Sequence, residues 1–372
     1  MVYFIDIIGA HSGLQNYDES FYILLQENGI DSKVISNYDS YFSISILKNH
    51  YLGSFVRKVF TLLCNYFRYL YFIILKMKKS VFIYNSFGLG LLDMIFLFPF
   101  CMNHNYFVLV HDIYIMGESG KIKIKSISNL FYKYLIKNAF VHSINTGKKL
   151  KNLGFKMQVF FIPHRYKMNM RIDLNDVMQE VINSIENDKR NILFFGTIRK
   201  SKGLDIFLKA IKQINTEYLS TLNFIIAGKD KSNIYKSINI DNYINIKRIN
   251  RFISENELKY LFHNSDYIVL PYKEIYQSGL AELSICLRLP IIASDLNFFK
   301  ETLSKYPSFG HMFKNRMYID LARTIENIIF MKKQRSDYFS SIDLEKYYDT
   351  KQEQRFIFFL RQKLLRTRKL YE

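Results

Sequence analysis

Short apolar runs alternate with amphipathic stretches along the chain, and this alternation occurs in both halves. Short runs rich in Val, Ile and Phe are typical of parallel strands that are buried on both faces by intervening helices. The predicted strands cover residues 2–8, 33–35, 81–84, 106–111, 139–142, 158–162, 191–195, 223–227, 244–249, 267–270 and 290–293. The pattern predicts the α/β fold class, with two doubly wound, Rossmann-like parallel-sheet domains.

The predicted domain boundary is a polar stretch that lacks strand character. Residues 171–190 form this linker, between an N-terminal domain over residues 1–170 and a C-terminal domain over residues 191–345. Residues 346–372 are predicted to form a basic helix that crosses back to the N-terminal domain. Ligands of open parallel sheets lie at the carboxyl ends of the strands, so the expected site is the cleft between the two domains.

The stretch "NILFFGTIRKSKGLDIFLKAI" places a cationic loop directly after a buried strand. Arg199, Lys200 and Lys202 lie in this loop, and Gly203 opens the next helix. Basic loops and helix N-termini bind phosphate through charge and through backbone N–H groups that have no partner inside the helix. A solvated basic turn is the plainer interpretation. The position at a strand end favours phosphate binding.

The stretch "PYKEIYQSGLAELSICLRLPIIASD" places two glutamates around a small-residue turn. Glu274 follows a strand and can accept hydrogen bonds from sugar or ribose hydroxyls. Ser278 and Gly279 are predicted at a helix start, where backbone N–H groups can approach a ligand. With Gly279 as the N-cap, Glu282 takes the third helical position, where a carboxylate often caps the helix. Ligand binding and capping both stay open for Glu282.

The strand predicted over residues 106–111 ends in His111, followed by Asp112. A histidine at a strand end that faces a cleft is a candidate polar or acid–base group, although a lone histidine is often structural. Gly9 and Gly13 frame the first strand-to-helix loop without the spacing of a dinucleotide fingerprint, which argues against a nicotinamide enzyme. The sequence has no Walker loop, no His/Cys metal cluster and no nucleophile elbow.

The charge balance favours an anionic partner. Fifty-two Lys and Arg against 33 Asp and Glu give a net charge of +19, which suits nucleic acid, anionic lipid or phosphorylated substrates. The three cysteines show no disulfide or metal spacing, which is typical of a reducing compartment. The first residues resemble a strand rather than a signal peptide. The protein is therefore expected in the cytoplasm.

The apolar stretch over residues 59–75 is the nearest approach to a membrane span in the sequence. Helical spacing within and beside it is followed by Arg57, Thr61, Asn65 and Arg68, which predicts a broad amphipathic helix. This helix either packs on a sheet or lies at a membrane surface, and both interpretations stay open. Basic residues flank the apolar face, so contact with an anionic membrane is expected through residues 56–79.

Several of these segments together resemble the group 1 glycosyltransferases. The resemblance rests on "FFGTIRKSKGLD", "FIIAGKD", "DYIVLPYKEIYQSGLAELSICLRLPIIASDLNFFKETL", "VHSINTGKKL" and "VFFIPH", and it is strongest from Asn191 to Glu301. It implies a retaining enzyme with the two-domain GT-B fold. The sequence departs from the family pattern before Pro290, where Arg288 and Leu289 replace the usual glycine. The spacing from Glu282 to Pro290 is also one residue longer than usual.

The resemblance also implies site residues. It implies that Glu274 contacts the donor sugar and Glu282 the nucleotide ribose, with Leu283 at the ribose position in a shifted register. It implies that Arg199 and Lys202 hold the diphosphate.

The remaining implied residues lie in turns and at a strand end. Gly13 is implied to approach the donor from the N-terminal domain, and His111 matches a histidine near the donor sugar. The turn at the transferred group is matched by Gln277, Ser278 and Gly279.

The resulting hypothesis is a retaining glycosyltransferase that needs no metal or cofactor. It moves a sugar from a nucleotide-diphosphate sugar to a saccharide or lipid-linked acceptor, in surface polysaccharide biosynthesis, without a nucleic acid partner. It is expected in the cytoplasm, at the inner face of the cell membrane. The alternatives are a GT-B-fold nucleotide-sugar epimerase and a non-catalytic basic protein that binds anionic membrane or nucleic acid.

Overall fold

The structure is a computed structural model in which most of the chain is described. The described residues are 1–9, 15–49, 53–76, 79–86, 91–102, 105–111, 115–117, 120–122, 136, 138–142, 144–152, 154–155, 158–161, 171–237, 245–275, 278–340, 343 and 350–369.

The described elements alternate between strands and helices, as the apolar pattern predicts. The strands are β1 Val2–Ile5, β2 Ser32–Ser36, β3 Ser43–Ser45, β4 Val81–Ser86, β5 Tyr106–Val110, β6 Ile115–Gly117, β7 Gly120–Ile122, β8 Asn138–Val141, β9 Gln158–Phe161, β10 Arg190–Phe195, β11 Leu222–Ala227, β12 Ile246–Ile249, β13 Tyr267–Leu270, β14 Ile291–Ser294 and β15 Gly310–Phe313. The α-helices are α1 Gln15–Glu27, α2 Phe55–Lys76, α3 Leu91–Leu97, α4 Ile144–Asn152, α5 Gln179–Ile182, α6 Leu204–Ile211, α7 Thr216–Leu219, α8 Ile234–Ser237, α9 Glu255–Asn264, α10 Gly279–Cys286, α11 Asn297–Lys305, α12 Tyr318–Phe330, α13 Arg335–Phe339 and α14 Thr350–Lys369. Short 3₁₀ helices cover Phe98–Met102, Leu174–Asp176, Lys200–Lys202 and Pro307–Phe309.

The chain divides into two compact units. The N-terminal unit comprises Met1–Met168 together with Glu345–Glu372, and the C-terminal unit comprises Asn169–Leu344. Residues 171–190, which the sequence presents as a linker, belong to the C-terminal unit. Helix α14 lies in the N-terminal unit, on the side to which the sequence analysis assigns it.

The N-terminal unit is built on a parallel sheet of seven strands in the order β3-β2-β1-β4-β5-β8-β9. Successive side chains of a strand point to opposite faces, so each face of β1 joins a different core. Tyr3 and Ile5 pack with residues of α2 and α3, whereas Val2 and Phe4 pack with residues of α1 and α14. Both faces are therefore covered by helices, as expected for strands that are apolar along their whole length.

The C-terminal unit is built on a parallel sheet of six strands in the order β12-β11-β10-β13-β14-β15. The chain runs outward from β10 to β12 and then returns to place β13 on the other side of β10. The topological switch point therefore lies between β10 and β13. The corresponding point of the N-terminal sheet lies between β1 and β4. The predicted α/β class with two Rossmann-like parallel sheets is confirmed.

Candidate functional site

The switch point of the C-terminal sheet brings together two loops that are far apart in sequence. Strands β10 and β13 pair in parallel, with Leu193 opposite Ile268, so their carboxyl ends lie side by side. The loop after β10 carries Arg199 and Lys202, and the loop after β13 carries Glu274. Crevices at such points are the usual ligand sites of open α/β sheets.

Direct contacts join the two loops. Gly203 has φ of 73°, and a Cβ atom on it would lie 1.8 Å from the carbonyl oxygen of Pro271. This position therefore needs glycine, both for the left-handed backbone and for the close approach. The Lys273 N–H donates to the Ser201 carbonyl at 2.9 Å. The cationic loop is consequently held against the exit of β13.

Two lysines lie where the loops meet, and they contact different partners. The Lys202 ammonium lies 3.7 Å from the ring centroid of Tyr272, which is a cation–π contact. The Lys273 ammonium pairs with Asp205 at 2.8 Å. Arg199 is exposed and begins the 3₁₀ helix Lys200–Lys202. Arg199 and Lys202 therefore supply positive charge beside the β13 exit.

Glu274 lies in the same region and forms a loose ion pair across it. Its Oε1 is 3.7 Å from Nη2 of Arg316, and both side chains are substantially exposed. The Asn315 N–H donates to Asp295 at 2.8 Å, which anchors the segment that carries Arg316. Burial alone raises the pKa of Asp295, but the Asn315 N–H and Lys300 outweigh it and hold that pKa below its ordinary value. Glu274 is thus close to a cation that the sequence did not predict.

Helix α10 starts at the same edge of the sheet. Ser278 is its N-cap, and the Ser278 hydroxyl accepts a hydrogen bond from the Ala281 N–H at 3.2 Å. A Cβ atom on Gly196, which directly follows β10, would lie 3.3 Å from the Leu280 side chain. The first turn of α10 therefore packs against the end of β10, with its N-terminal N–H groups at the switch point.

This geometry corrects one premise of the sequence analysis. Ser278 rather than Gly279 is the N-cap, so Ala281 takes the third helical position and Glu282 the fourth. Glu282 is half-buried and does not occupy the position from which a capping-box carboxylate reaches back to the N-cap. The capping interpretation in the form predicted is wrong. Binding of Glu282 to ribose stays a prediction.

The glycines at the ends of β10 and β11 allow two loops to pack backbone to backbone. Gly196 has φ of 100° and Gly228 has φ of 142°. A Cβ atom on Gly228 would lie 2.1 Å from the Gly196 carbonyl oxygen. The Ile198 N–H then donates to the Lys229 carbonyl at 3.0 Å, which extends the strand pairing into the cationic loop. Gly228 belongs to the site framework, and its place directly after a predicted strand is the signal that could have found it.

His111 belongs to the N-terminal unit, whereas the other described candidates belong to the C-terminal unit. It follows β5 and is only 4% exposed. Its Nε2 lies 2.6 Å from Oδ1 of Asn85 at the end of β4, and its ring contacts those of Tyr17 and His142. The ring is held in one place by these neighbours. A catalytic role for His111 stays a prediction, and Gly13 and Gln277 lie outside the described residues.

A buried pair of carboxyl groups lies at the end of β1. Asp6 and Asp18 are both 0% exposed, and Oδ2 of Asp6 and Oδ1 of Asp18 are buried without a hydrogen-bond partner. Tyr38 donates to Asp18 at 2.5 Å, and the Ile8 N–H donates to Asp6 at 2.9 Å. Burial, followed by the charge of Asp6, raises the pKa of Asp18 well above its ordinary value. Burial of both carboxyl groups favours a single proton held between them, beside the loop that contains Gly9.

The described residues contain no group of three or more His, Cys, Asp or Glu side chains placed to hold a metal ion. The charged groups gathered at the switch point within that part of the chain are mainly cations. Such groups can bind a diphosphate by charge and hydrogen bonds. Arg316 and Tyr272 were missed by sequence reasoning. Arg316 could not have been found, because it follows a different strand and only the fold brings it to Glu274.

Comparison with known proteins finds a family model that matches the C-terminal part. Residues 179–340 match the family model of the glycosyl transferases group 1. No curated protein sequence matches the chain. Among solved structures, sucrose-phosphate synthase from Thermosynechococcus elongatus is similar with a TM-score of 0.64 at 13% identity, covering 100% of this chain and 98% of that one.

Two other solved structures share the fold. HepE from Anabaena, in complex with UDP, has a TM-score of 0.61 at 10% identity, with 98% of each chain covered. The catalytic domain of starch synthase IV from Arabidopsis thaliana, bound to ADP and acarbose, has a TM-score of 0.62 at 10% identity, with 98% of this chain and 99% of that one covered. Over residues 179–340 the chain is similar to the group 1 glycosyl transferases, and its two α/β units have the GT-B fold.

Proposed function

We propose that the protein transfers a sugar from a nucleotide-diphosphate sugar to a saccharide or lipid-linked acceptor, with retention of anomeric configuration. The observation that carries this proposal is the junction at the C-terminal switch point. Arg199 and Lys202 lie on one loop, Glu274 lies on the neighbouring loop, and the start of α10 lies at the same edge of the sheet. Gly203 and Lys273 fix the loops to each other.

Each group has a role that follows from the bond that breaks. Cleavage of the anomeric C–O bond leaves negative charge on the diphosphate. Arg199, Lys202 and the first N–H groups of α10 would stabilise that charge. Glu274 would accept hydrogen bonds from the hydroxyls of the transferred sugar. None of these roles requires a metal ion, and we propose that the reaction uses none.

Two of the similar structures support a donor that carries a nucleoside diphosphate. HepE binds UDP, and starch synthase IV binds ADP, in structures that share this fold. We infer that this chain also binds a nucleoside diphosphate, at the switch point of its C-terminal unit. The basic charge and the apolar helix α2 favour an acceptor at a lipid surface. We therefore place the reaction in surface polysaccharide assembly, in the cytoplasm at the inner face of the cell membrane.

The proposal is tested by thermal unfolding of the full chain with a panel of UDP-, GDP- and ADP-sugars. One donor should raise the unfolding temperature, because a ligand that binds only the native state stabilises it by mass action. That donor is then incubated with the protein and a set of acceptors, and the anomeric configuration of the product is read by NMR.

Glu274→Gln should lower turnover of the sugar while donor binding persists. The control is Glu217→Gln, which makes the same change on an exposed residue of α7. A product with inverted configuration would contradict the retaining assignment. Conversion of the donor into an epimer without acceptor would replace transfer by epimerisation.

A further inference from the structure

Helix α2 has buried polar contacts on its inner side, and a second set of large apolar side chains is exposed on its outer side. Asn65 is 1% exposed, and its side chain accepts from the Lys48 N–H at 2.8 Å and donates to the Lys48 carbonyl at 2.7 Å. Tyr69 is fully buried and donates to the Phe96 carbonyl at 2.9 Å. An ordinary surface helix has its apolar residues toward the core and charged or polar residues on the outer side.

The outward side of α2 is a continuous apolar surface. Its large apolar side chains are between 42% and 80% exposed, and they are Phe55, Val56, Val59, Phe60, Leu63, Phe67, Tyr71, Ile74 and Leu75. Helical spacing puts Val56, Phe60, Leu63, Phe67 and Ile74 on one face. Exposed apolar patches of this kind mark interaction sites in soluble proteins. We call this surface the α2 apolar face.

The charge along α2 indicates which partner suits the face. The helix contains no Asp or Glu, and Arg57, Lys58, Arg68 and Lys76 are all exposed. Arg57 and Arg68 are separated by about three turns and lie along one edge of the apolar face. Cations that border an apolar helix face are typical of helices that bind anionic lipid.

We propose that the α2 apolar face docks on the surface of a lipid bilayer that contains anionic headgroups. The helix lies in the plane of the membrane, with Phe60 and Phe67 among the acyl chains and with Arg57 and Arg68 at the headgroups. By length and composition α2 could also cross a membrane. Asn65, Tyr69 and Ile73 instead hold its other side in the core of the N-terminal unit, so the helix docks without leaving the fold.

A second copy of the chain is the less suitable occupant. Two apposed α2 faces would bring their arginine edges together, and each chain has a net charge of +19. This repulsion is relieved on an anionic bilayer. The inference rests on α2 alone, so it can stand if the proposed sugar transfer fails. If the docking fails, the sugar transfer can still stand, but its proposed place at the membrane surface loses the support of α2.

The chain contains no tryptophan, which permits a direct test of insertion. Phe67→Trp puts one indole on the α2 apolar face. Phe330→Trp is the control, because Phe330 is 74% exposed at the end of α12. Each full-length variant is mixed with vesicles of equimolar phosphatidylcholine and phosphatidylglycerol. The Phe67→Trp emission should shift to the blue and be quenched by brominated acyl chains, with no change for Phe330→Trp. No shift for Phe67→Trp, or an equal shift for both variants, would overturn the proposal.

Sedimentation with the same vesicles measures the contribution of each group. Phe60→Asp with Phe67→Asp should weaken binding by at least about tenfold, because apolar burial and charge attraction are both reduced. Arg57→Gln with Arg68→Gln should weaken binding by about fivefold per cation on anionic vesicles. Unchanged circular dichroism shows that the variants fold, and Phe252→Asp is the control at a residue that is 70% exposed.

Self-association is measured in parallel by light scattering without lipid. The proposal predicts that the wild type and the Phe60→Asp, Phe67→Asp variant have the same mass. A wild-type dimer that becomes monomeric in the variant, with no binding of the wild type to vesicles, would assign the α2 apolar face to a second copy and overturn the proposal.

Discussion

Gly203 is the residue whose backbone places the cationic loop against the exit of β13. The sequence showed that Gly203 opens a helix, but it could not show the contact with Pro271, because that contact depends on the pairing of strands β10 and β13. Arg199 and Glu274 were predicted from their strand-end positions alone. Their placement on neighbouring loops depends on the order of the strands in the sheet, which cannot be read from a single sequence.

Gly203→Ala should lower the free energy of unfolding much more than an alanine substitution at another glycine with a left-handed backbone. Gly29 has φ of 65° with no atom within 4 Å of an added Cβ, so Gly29→Ala should cost only the backbone strain of about 1 kcal/mol. At Gly203 the added Cβ meets a main-chain oxygen, so the loop must move. We expect Gly203→Ala to cost about 3 kcal/mol. Denaturant unfolding of both variants measures the difference, and equal losses would contradict the close contact.

Asp18 is a second residue whose substitution should change the stability of the protein measurably. Its folded pKa is raised, so the shared proton is held most firmly at low pH, and the stabilisation it gives is lost as pH rises through that folded pKa. Asp18→Asn supplies a permanent N–H donor toward Asp6. We expect it to stabilise the protein by about 1 kcal/mol at neutral pH and to have less effect in acid. The exposed Asp31→Asn is the control, and a destabilised Asp18→Asn protein would contradict the shared proton.

At the scale of elements, helix ends were predicted well where a local signal exists. Ser254 with Glu257 three residues later is the sequence pattern of a capping box, and both of its hydrogen bonds form at the start of α9. The end of α10 is different, because Arg288 takes φ of 52° where the resembling family has glycine. The Leu289 N–H closes the helix on the Ser284 carbonyl at 2.8 Å. Arg335 donates to the Leu287 and Arg288 carbonyls, so a side chain that is distant in sequence supports this left-handed residue.

Glu257 joins α9 to the segment that the sequence presents as a linker. Its carboxylate accepts two hydrogen bonds from Arg251, at 2.7 and 2.8 Å, and one from the Ser254 N–H at 2.8 Å. The Met178 N–H also donates to it at 3.4 Å. The segment before β10 is thereby fixed to the C-terminal unit. Polarity alone suggested a linker, since contacts with α9 are not visible in a local pattern.

The Glu257 network should make the protein sensitive to acid. Burial by itself raises the pKa of Glu257, but the hydrogen bonds from Arg251 and Ser254 outweigh it and hold the pKa at about 2, against an ordinary value of 4.5. The stabilisation is therefore present above about pH 4.5 and is lost as the pH falls toward 2. Glu257→Gln should cost roughly 2 kcal/mol at neutral pH and flatten the pH dependence between these values. Unfolding curves at several pH values test this, with Glu217→Gln as the control.

At the scale of the whole molecule, the chain ends in the unit where it began. The packing of α14 explains why it belongs to the N-terminal unit. Phe356 lies against Phe21 and Phe140, and Leu360 is fully buried in the same core. The C-terminal helix therefore covers one face of the N-terminal sheet. Contact with this face explains the regular spacing of apolar residues along α14.

Two phenylalanines of α14 provide a matched pair. Phe356 is 1% exposed and Phe358 is 64% exposed. Phe356→Ala should destabilise the N-terminal unit by about 3–4 kcal/mol, whereas Phe358→Ala should change stability by less than about 0.5 kcal/mol. Thermal unfolding of both proteins measures the effect. Similar losses for the two substitutions would show that α14 does not pack in this register.

The central claim is that the junction at the C-terminal switch point binds the diphosphate of a nucleotide sugar. Calorimetric titration with UDP and with ADP tests it most directly, using the wild type, Arg199→Ala, Lys202→Ala and the control Arg323→Ala. Arg323 is exposed on α12, and its removal changes the net charge equally. We predict binding of one of the two nucleotides, weakened about tenfold or more by Arg199→Ala and Lys202→Ala and unchanged by Arg323→Ala. Binding that is absent in the wild type, or equally weakened in all three variants, would contradict the account.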